Sequence, residues 1–364
     1  MKEIESFFYR KVSEYEGKIK AVFDFNENFL GTFVKDVKEL SDNFLRKKVE
    51  PVYFYDEKFL RAYTFFYFSQ NYFKTVYLLS LLKPAFEERK KVVALDFGGG
   101  PGNSTLAIRD FLFNLGIDYK IYYIDKQSSV SDFFESIKDD EKIIIKDNFE
   151  IEEKIDIFLF SYTLKEIGRG YRRIISKIIP RASDDSFIIF LDAPDPEVLS
   201  FIDGIRKLSY KNGFFSIFPC PIKGSCPVVK LKKDKEKTCF TQLEWEPTDL
   251  VSTINSKLFF RIKYLKFSSI ILSNRWEREN YVFSISPYLK EKGKGRVYFC
   301  TDGGRVEAVL MKKNLSESNE LFREILRGSM VRIEGEFEKS NKILKLGKET
   351  KISFCDTPLK KKRS

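Results

Sequence analysis

A chain of 364 residues with 64 Lys and Arg against 53 Asp and Glu carries a formal charge of +11, and 43% of its residues are hydrophobic. That apolar content excludes a disordered chain and suits about two or three packed domains, while the basic excess points to nucleic acid or an anionic surface as partner. Histidine is absent, which removes the commonest general base and the commonest metal ligand together.

Residues 1–88 read as a helical region, with apolar residues at helical spacing through Phe7, Val12, Ile19 and Val22. The N-terminus has acidic residues where a secretory signal needs an apolar core, so the expected location is the cytoplasm. The most apolar stretch, Tyr63 to Leu82, is broken by Ser69, Gln70, Asn71 and Lys74. It reads as a buried helix pair and not as a membrane span, and no membrane partner is expected.

From Lys91 short apolar runs alternate with amphipathic stretches. Strands are expected at Val92–Asp96, Ile121–Asp125, Ile143–Ile145, Ile155–Phe160 and Phe187–Asp192, and helices at Ser104–Leu115, Tyr171–Ile179 and Pro196–Tyr210. That alternation argues for an α/β domain with a parallel, doubly wound sheet over residues 89–290. The first strand runs into Gly98, Gly100 and Gly102, preceded by Asp96. Glycines let a turning backbone approach a ligand closely. The pattern is not the dinucleotide GxGxxG, and no Lys-Ser or Lys-Thr follows for a phosphate loop. Asp-x-Gly-x-Gly-x-Gly fits S-adenosylmethionine instead. Asp125 ends the second strand, where a carboxylate can accept both ribose hydroxyls. Asp147 follows the third, near the adenine position, and Ser161 ends the fourth. The alternative is a plain glycine turn with solvent-facing acids. Tyr162 and Glu166 follow the fourth strand without the carbonyls that grip an exocyclic amine, so no catalytic residue is assigned.

Residues 211–248 are irregular, too long for an ordinary loop, and carry three of the five cysteines. Cys220, Cys226, Cys239 and Cys300 are spaced C-x5-C-x12-C-x60-C. In a reducing compartment such a set suggests a metal centre. Structural zinc ordinarily shows tighter pairs, a four-thiolate iron–sulfur cluster tolerates wider ones, and buried apolar cysteines are the third possibility. Strand-like runs resume at Leu258–Leu272 and Tyr281–Ile285. Residues 291–356 read as a small β-rich, OB-like barrel, with strands at Arg296–Thr301, Arg305–Lys312, Met330–Glu338 and Ile343–Phe354 and a hairpin turn at Gly303-Gly304. Residues 357–364 form a basic tail. Candidate phosphate-binding cations are Lys223, Lys230, Lys232, Lys233, Arg305, Lys312, Lys313, Lys360, Lys361, Lys362 and Arg363.

Together these residues resemble the methyltransferase-like small-ribosomal-subunit assembly proteins of mitochondria, bacteria and archaea. The resemblance runs from about Phe59 onward. It rests on Ala62-Tyr63, the glycine loop Leu95 to Gly102, the stretch Phe160 to Ile167, Phe218-Pro219-Cys220-Pro221, Ser225-Cys226-Pro227, Thr238-Cys239-Phe240, the run Lys266 to Ser273, and Phe299 to Gly303 followed by Arg305. It implies a class I S-adenosylmethionine-dependent methyltransferase fold, Rossmann-like, with an N-terminal helical region, a cysteine-rich iron–sulfur insertion and a small C-terminal β-barrel-like domain. It also implies a [4Fe-4S] cluster on Cys220, Cys226, Cys239 and Cys300, with zinc as the alternative, and binding of a monomeric protein to the small ribosomal subunit and its rRNA. This chain departs from the family where members often carry His after the first Cys-Pro and Trp-Cys-His at the third cysteine. Here those places read Ile222 and Thr238-Cys239-Phe240. A segment resembling Trp-Gly-Asp in the family reads Arg327-Gly328-Ser329. Whether such a protein methylates RNA is left open by the resemblance.

Overall fold

The computed structural model describes residues 5–26, 30–45, 56–222, 224–231, 239–260, 262–335, 337–340 and 342–360. The chain opens with α1 (Ser6–Val22), α2 (Leu30–Leu45), α3 (Glu57–Phe66), α4 (Phe68–Ser80) and the short α5 (Lys83–Phe86). Next come β1 (Lys91–Phe97), α6 (Asn103–Asn114), β2 (Asp118–Ile124), α7 (Ser128–Lys138), β3 (Ile143–Lys146), β4 (Ile155–Ser161), α8 (Leu164–Ile167), α9 (Tyr171–Ile178), β5 (Ala182–Asp192) and α10 (Pro196–Tyr210). The cysteine-bearing region follows, with β6 (Phe215–Phe218), β7 (Thr241–Glu244), α11 (Asp249–Leu258) and β8 (Tyr264–Ser273). The remainder is β-rich: β9 (Glu277–Arg278), β10 (Val282–Ser284), β11 (Leu289–Glu291), β12 (Lys294–Thr301), β13 (Gly304–Met311), β14 (Met330–Glu334), β15 (Phe337–Ser340), β16 (Ile343–Leu346), β17 (Lys351–Phe354) and β18 (Leu359–Lys360).

The first sheet has the order β3-β2-β1-β4-β5-β8-β6. The first five strands pair in parallel, and β8 runs antiparallel to both β5 and β6. A single reversed strand inserted next to last is the topology of class I methyltransferases, and it fixes the fold. The strand centres are buried on both faces, as parallel sheets require. One face packs against the N-terminal helices and α6 and α7, the other against α9 and α10. Among the described residues no helix is long and apolar enough to cross a membrane. The apolar stretch that includes Lys74 is instead α4, whose residues Phe68 to Leu79 are all buried. Tyr15 of α1 and Tyr72 of α4 both donate to Asp110 Oδ2 of α6, at 2.6 and 2.8 Å, and lock the helical layer onto the sheet.

Several sequence expectations shift. The irregular stretch contains two strands, β6 and β7, both paired to β8, because Phe215–Phe218 and Thr241–Glu244 complete that strand's free edge. The expected strand from Leu258 begins only at Tyr264. Before it, Thr248 accepts a hydrogen bond from the Val251 N–H and caps α11. The run Met330–Glu338 breaks into β14 and β15, and Ile343–Phe354 breaks into β16 and β17 at the turn that Thr350 closes on Gly347. The second sheet runs β15-β16-β13-β12-β10-β14-β17 around its own core of Val297, Phe299, Leu310, Phe322 and Val331. No pairing of β15 with β17 closes it into a full barrel among the described residues. The start of the expected tail is pinned down: β18 pairs with β9, and Thr357 Oγ1 donates to Leu81 O at 2.8 Å.

Gly102 starts α6 in the left-handed region, at φ +83°, and any Cβ there would collide with the Phe134 ring. Gly102→Ala combines backbone strain with overpacking, and its expected cost is about 2–3 kcal/mol of stability. Urea unfolding of the two proteins checks this, and equal midpoints would refute it.

Candidate functional site

The C-terminal ends of β1, β2 and β4 build a cradle from backbone. Gly98 and Gly99 donate to Ile124 O at 2.7 and 3.1 Å, which pins the glycine loop to the end of β2. Asp125 then accepts from Gly100 N–H through Oδ2 and from Gln127 N–H through Oδ1, both at 2.9 Å. Tyr123 donates to Gly100 O at 2.7 Å. A Cβ on Gly98 would strike Thr163, so the loop lies hard against the chain leaving β4. Asp147 stands exposed one residue beyond β3.

The strand order reverses between β1 and β4, the switch point where open α/β sheets bind ligands. Three buried polar atoms without hydrogen-bond partners gather there: Asp96 Oδ1, Ser161 Oγ and Thr163 Oγ1. Buried polar groups are ordinarily satisfied, so orphans at a switch point mark a place for a polar ligand. Asp96 is fully buried, and its Oδ2 accepts from Thr105 at 2.6 Å. Desolvation pushes its carboxyl up to about 7, against the Thr105 hydrogen bond. Burial also raises Asp125, opposed by its two backbone donors.

Beyond β4 lies a network that sequence reasoning missed. Tyr162 adopts a left-handed conformation, φ +58°, with its N–H donating to Leu191 O at 2.7 Å. Lys74, only 6% exposed, donates to Tyr162 Oη at 2.7 Å and to Asn71 Oδ1 at 2.9 Å. Asn71 in turn donates to Tyr63 Oη at 2.7 Å. Burial pulls Lys74 down to about 7, against the attraction of Asp192. Burial pushes Asp192 at the end of β5 up to about 7, although Ala193 N–H and Leu164 N–H donate to it at 2.7 and 3.1 Å. The visible signal was a lysine inside an apolar run. Glu166 accepts from Lys126 at 3.0 Å in a surface pair.

The four cysteines of the sequence pattern meet on one cavity, together with Asp203, Arg206, Ser268 and Phe283. Cys220 lies two residues after β6, Cys239 two before β7, Cys226 between them, and Cys300 on β12 opposite Phe283. Arg206 of α10, 1% exposed, holds the segment by donating to Ile222 O, Gly224 O and Asp203. Asp203 also accepts from Cys226 N–H at 3.2 Å, and Ser268 donates to Cys239 O at 2.7 Å. Burial raises the thiol pKa of all four. Neighbouring thiols add to the shift at Cys220, Cys239 and Cys300. Arg206, Arg327 and Arg278 oppose it at Cys220, Cys239 and Cys300 respectively. Among the described residues no three Cys, Asp or Glu side chains close on a single ion's position. Cys355 lines a different cleft, with Tyr77, Leu81 and Met330.

The candidate phosphate-binding cations are scattered. Lys230 is exposed near Cys226, while Lys223, Lys232 and Lys233 lie outside the described residues. Arg305 is exposed with its guanidinium 4.3 Å over the Tyr298 ring. Lys312 and Lys313 are exposed in the turn after β13, and Lys360 is exposed on β18. Lys361, Lys362 and Arg363 lie outside the described residues.

Residues 58–344 match the family described as mitochondrial small ribosomal subunit Rsm22. No curated protein matches the chain. Among solved structures it is similar to a putative RNA methyltransferase from Pyrococcus horikoshii, at 13% identity over 54% of this chain and 79% of that one, with a TM-score of 0.34. It is also similar to the plantazolicin methyltransferase BpumL in complex with a pentazolic desmethylPZN analog and SAH, at 12% identity over 73% and 99% with a TM-score of 0.36. A third is magnesium protoporphyrin IX methyltransferase from Synechocystis PCC 6803 with bound SAH, at 15% identity over 56% and 84% with a TM-score of 0.33.

The buried lysine makes a pH signature. Lys74 titrates near 10.5 when unfolded and near 7 in the fold. Between those values the unfolded chain binds the extra proton, so this residue makes stability rise with pH from about 7 to about 10. Lys74→Met should flatten that rise. Urea midpoints across the window test it, and an unchanged slope would place the lysine in solvent.

Proposed function

The chain belongs to the mitochondrial small ribosomal subunit Rsm22 family, and from that premise we propose that it is a small-subunit assembly factor that binds rRNA, with S-adenosylmethionine in the glycine cradle and a structural [4Fe-4S] cluster on Cys220, Cys226, Cys239 and Cys300. The observation that carries the reading is the convergence of four thiols from separate chain regions on one cavity. A cavity bordered by four thiols suits a four-thiolate cluster, and their wide spacing lacks the tight pairs that structural zinc ordinarily shows. Four protein thiolates leave no iron with an open position, so the group serves as a staple between the cysteine segment and the β-rich part, and its binding energy becomes folding energy. Arg206, Arg278 and Arg327 offset its negative charge. Thiolate ligands of this kind suit a reducing, cytoplasmic setting.

The cradle fits S-adenosylmethionine on two counts. Asp96, buried with an orphaned oxygen, gains from the cofactor's ammonium group. Asp125 spends one bond per oxygen on backbone N–H groups and retains lone pairs for ribose hydroxyls. The cofactor, once bound, supplies an activated methyl group. Catalytic methylation of RNA is the second reading, favoured by one observation: an amine and a carboxylate, Lys74 and Asp192, are both bound to the turn after β4, through Tyr162 Oη and Leu164 N–H. Transfer of labelled methyl groups to small subunits separates the readings.

Protein purified without oxygen is expected to be brown, with about four irons per chain. Cys355→Ser should leave the iron unchanged, and stoichiometric zinc without iron would overturn the assignment. In calorimetry Asp125→Ala should weaken S-adenosylmethionine binding by roughly 1–3 kcal/mol. A wild-type protein that binds none would make the cradle vestigial.

A further inference from the structure

The connection from β3 to β4 passes β2 and β1 through residues 147–154 without a helix. Parallel strands are ordinarily joined by a longer crossover, most often a helix that covers the sheet. Here the cover is thin. Ile151 is buried, and Phe149 meets the edge of Phe97 with ring centroids 6.5 Å apart. A pocket opens beside them, lined by Phe97, Phe149, Ile167, Ile174, Arg173 and Lys177.

The wall of this pocket is α9 and the turn before it. Ile175 and Ile178 bury the inner face of the helix. Arg169, Arg172, Arg173 and Lys177 are exposed, and none forms an ion pair with a described carboxylate. No acidic residue occurs between Arg169 and Lys177. A run of cations alone is ordinarily a solvated face. What distinguishes this one is the aromatic pocket at its foot. Flat apolar walls for a base beside cations for phosphate are the two elements of single-strand recognition. An acidic peptide would satisfy the cations, but only a nucleotide strand pairs a planar ring with a phosphate at every unit, as the space between Phe97, Phe149 and Ile174 beside α9 requires. The crossover loop's own acids, Asp147, Glu150 and Glu152, are exposed and confine an anionic strand to the α9 side.

We propose that this pocket, left where a crossover helix would sit, binds single-stranded RNA, with a base against Phe97 and Phe149 and flanking phosphates on α9. The proposal rests on the RNA-binding reading above and says where the strand is held.

The test uses the full chain and a labelled oligouridylate, with affinity measured across a salt series and melting curves as a folding control. Arg173→Gln combined with Lys177→Gln should reduce the slope of log affinity against log salt by about 1.4, two phosphate contacts' worth for a single strand. Phe149→Ala should cost roughly tenfold in affinity and leave the slope unchanged. That split is one a purely structural role would not produce. Normal binding by both variants, with loss in Lys312→Gln combined with Lys313→Gln, would overturn the pocket and keep RNA binding. Wild-type protein that binds neither RNA nor small subunits would overturn the underlying reading as well. Competition by polyglutamate as strong as by unlabelled RNA would reduce α9 to a generic cationic face. Displacement of the RNA by S-adenosylhomocysteine would assign the pocket to the cofactor.

Discussion

A single reversed strand, β8, organises everything that follows the parallel sheet. Its edge away from β5 is shared: β6 pairs with its C-terminal half and β7 with its N-terminal half. The cysteine segment therefore leaves the strand opposite Ile271 and returns opposite Phe267, four residues along. At the rise of a strand that separation is about 13 Å. Cys220, Cys226 and Cys239 border one cavity there, together with Ser268 and Ser269. Cys220 and Cys239, each two residues outside its strand, are brought together by backbone pairing before any ligand is considered. Cys300 arrives from the other side, because β12 pairs with β10 and Phe283 of β10 packs against Phe218 of β6.

Holding those thiols together is unfavourable in the apo state. Each is desolvated, and three also feel their neighbours, so the fold favours the protonated thiols over thiolates. Positive charge opposes that effect. Arg206, Arg278 and Arg327 are guanidiniums, two of them anchored to backbone carbonyls, at Ile222, Gly224 and Tyr281. Arginine suits this role better than the exposed lysines of the same segment. Its planar fork satisfies carbonyls while its charge stays buried, and it carries a lower hydration cost than an ammonium. This separates two kinds of cation in the protein: arginines close to the thiols, one buried and two half-buried, and exposed lysines and arginines open to a polyanion.

The parallel core was legible because strand and helix periods alternate cleanly there. The helix Pro196–Tyr210 coincides with α10, where Asp195 accepts from Glu197 N–H as the cap and Pro196 opens the first turn. The cysteines were legible as a set, and the structure brings the four together while leaving Cys355 elsewhere. β6 and β7 were not legible. Each has only four residues, and each is specified by the edge of β8, a tertiary fact. Lys74 was seen only as an interruption of an apolar run, because one sequence cannot show that the ammonium meets Tyr162 from a strand end far along the chain. The cations of α9 were not among the candidate phosphate-binding residues, because the pocket they border is formed beside a crossover without a helix, which one sequence does not show.

The end of β4 bears on what chemistry the cradle can do. Here the chain turns left-handed at Tyr162, its N–H is spent on Leu191 O, and its hydroxyl is held by Lys74. A non-glycine residue in that conformation is costly unless its surroundings enforce it. The Lys74 network does so, at the further cost of burying an amine beside a carboxylate. Asp192 spends both oxygens on backbone N–H groups of the turn after β4 and of its own strand end. The pair thus braces the turn that closes the cradle, and Thr163 on that turn is the residue that touches the glycine loop. Lys74 and Asp192 therefore have a structural task at the end of β4, fixing the turn against which the glycine loop lies.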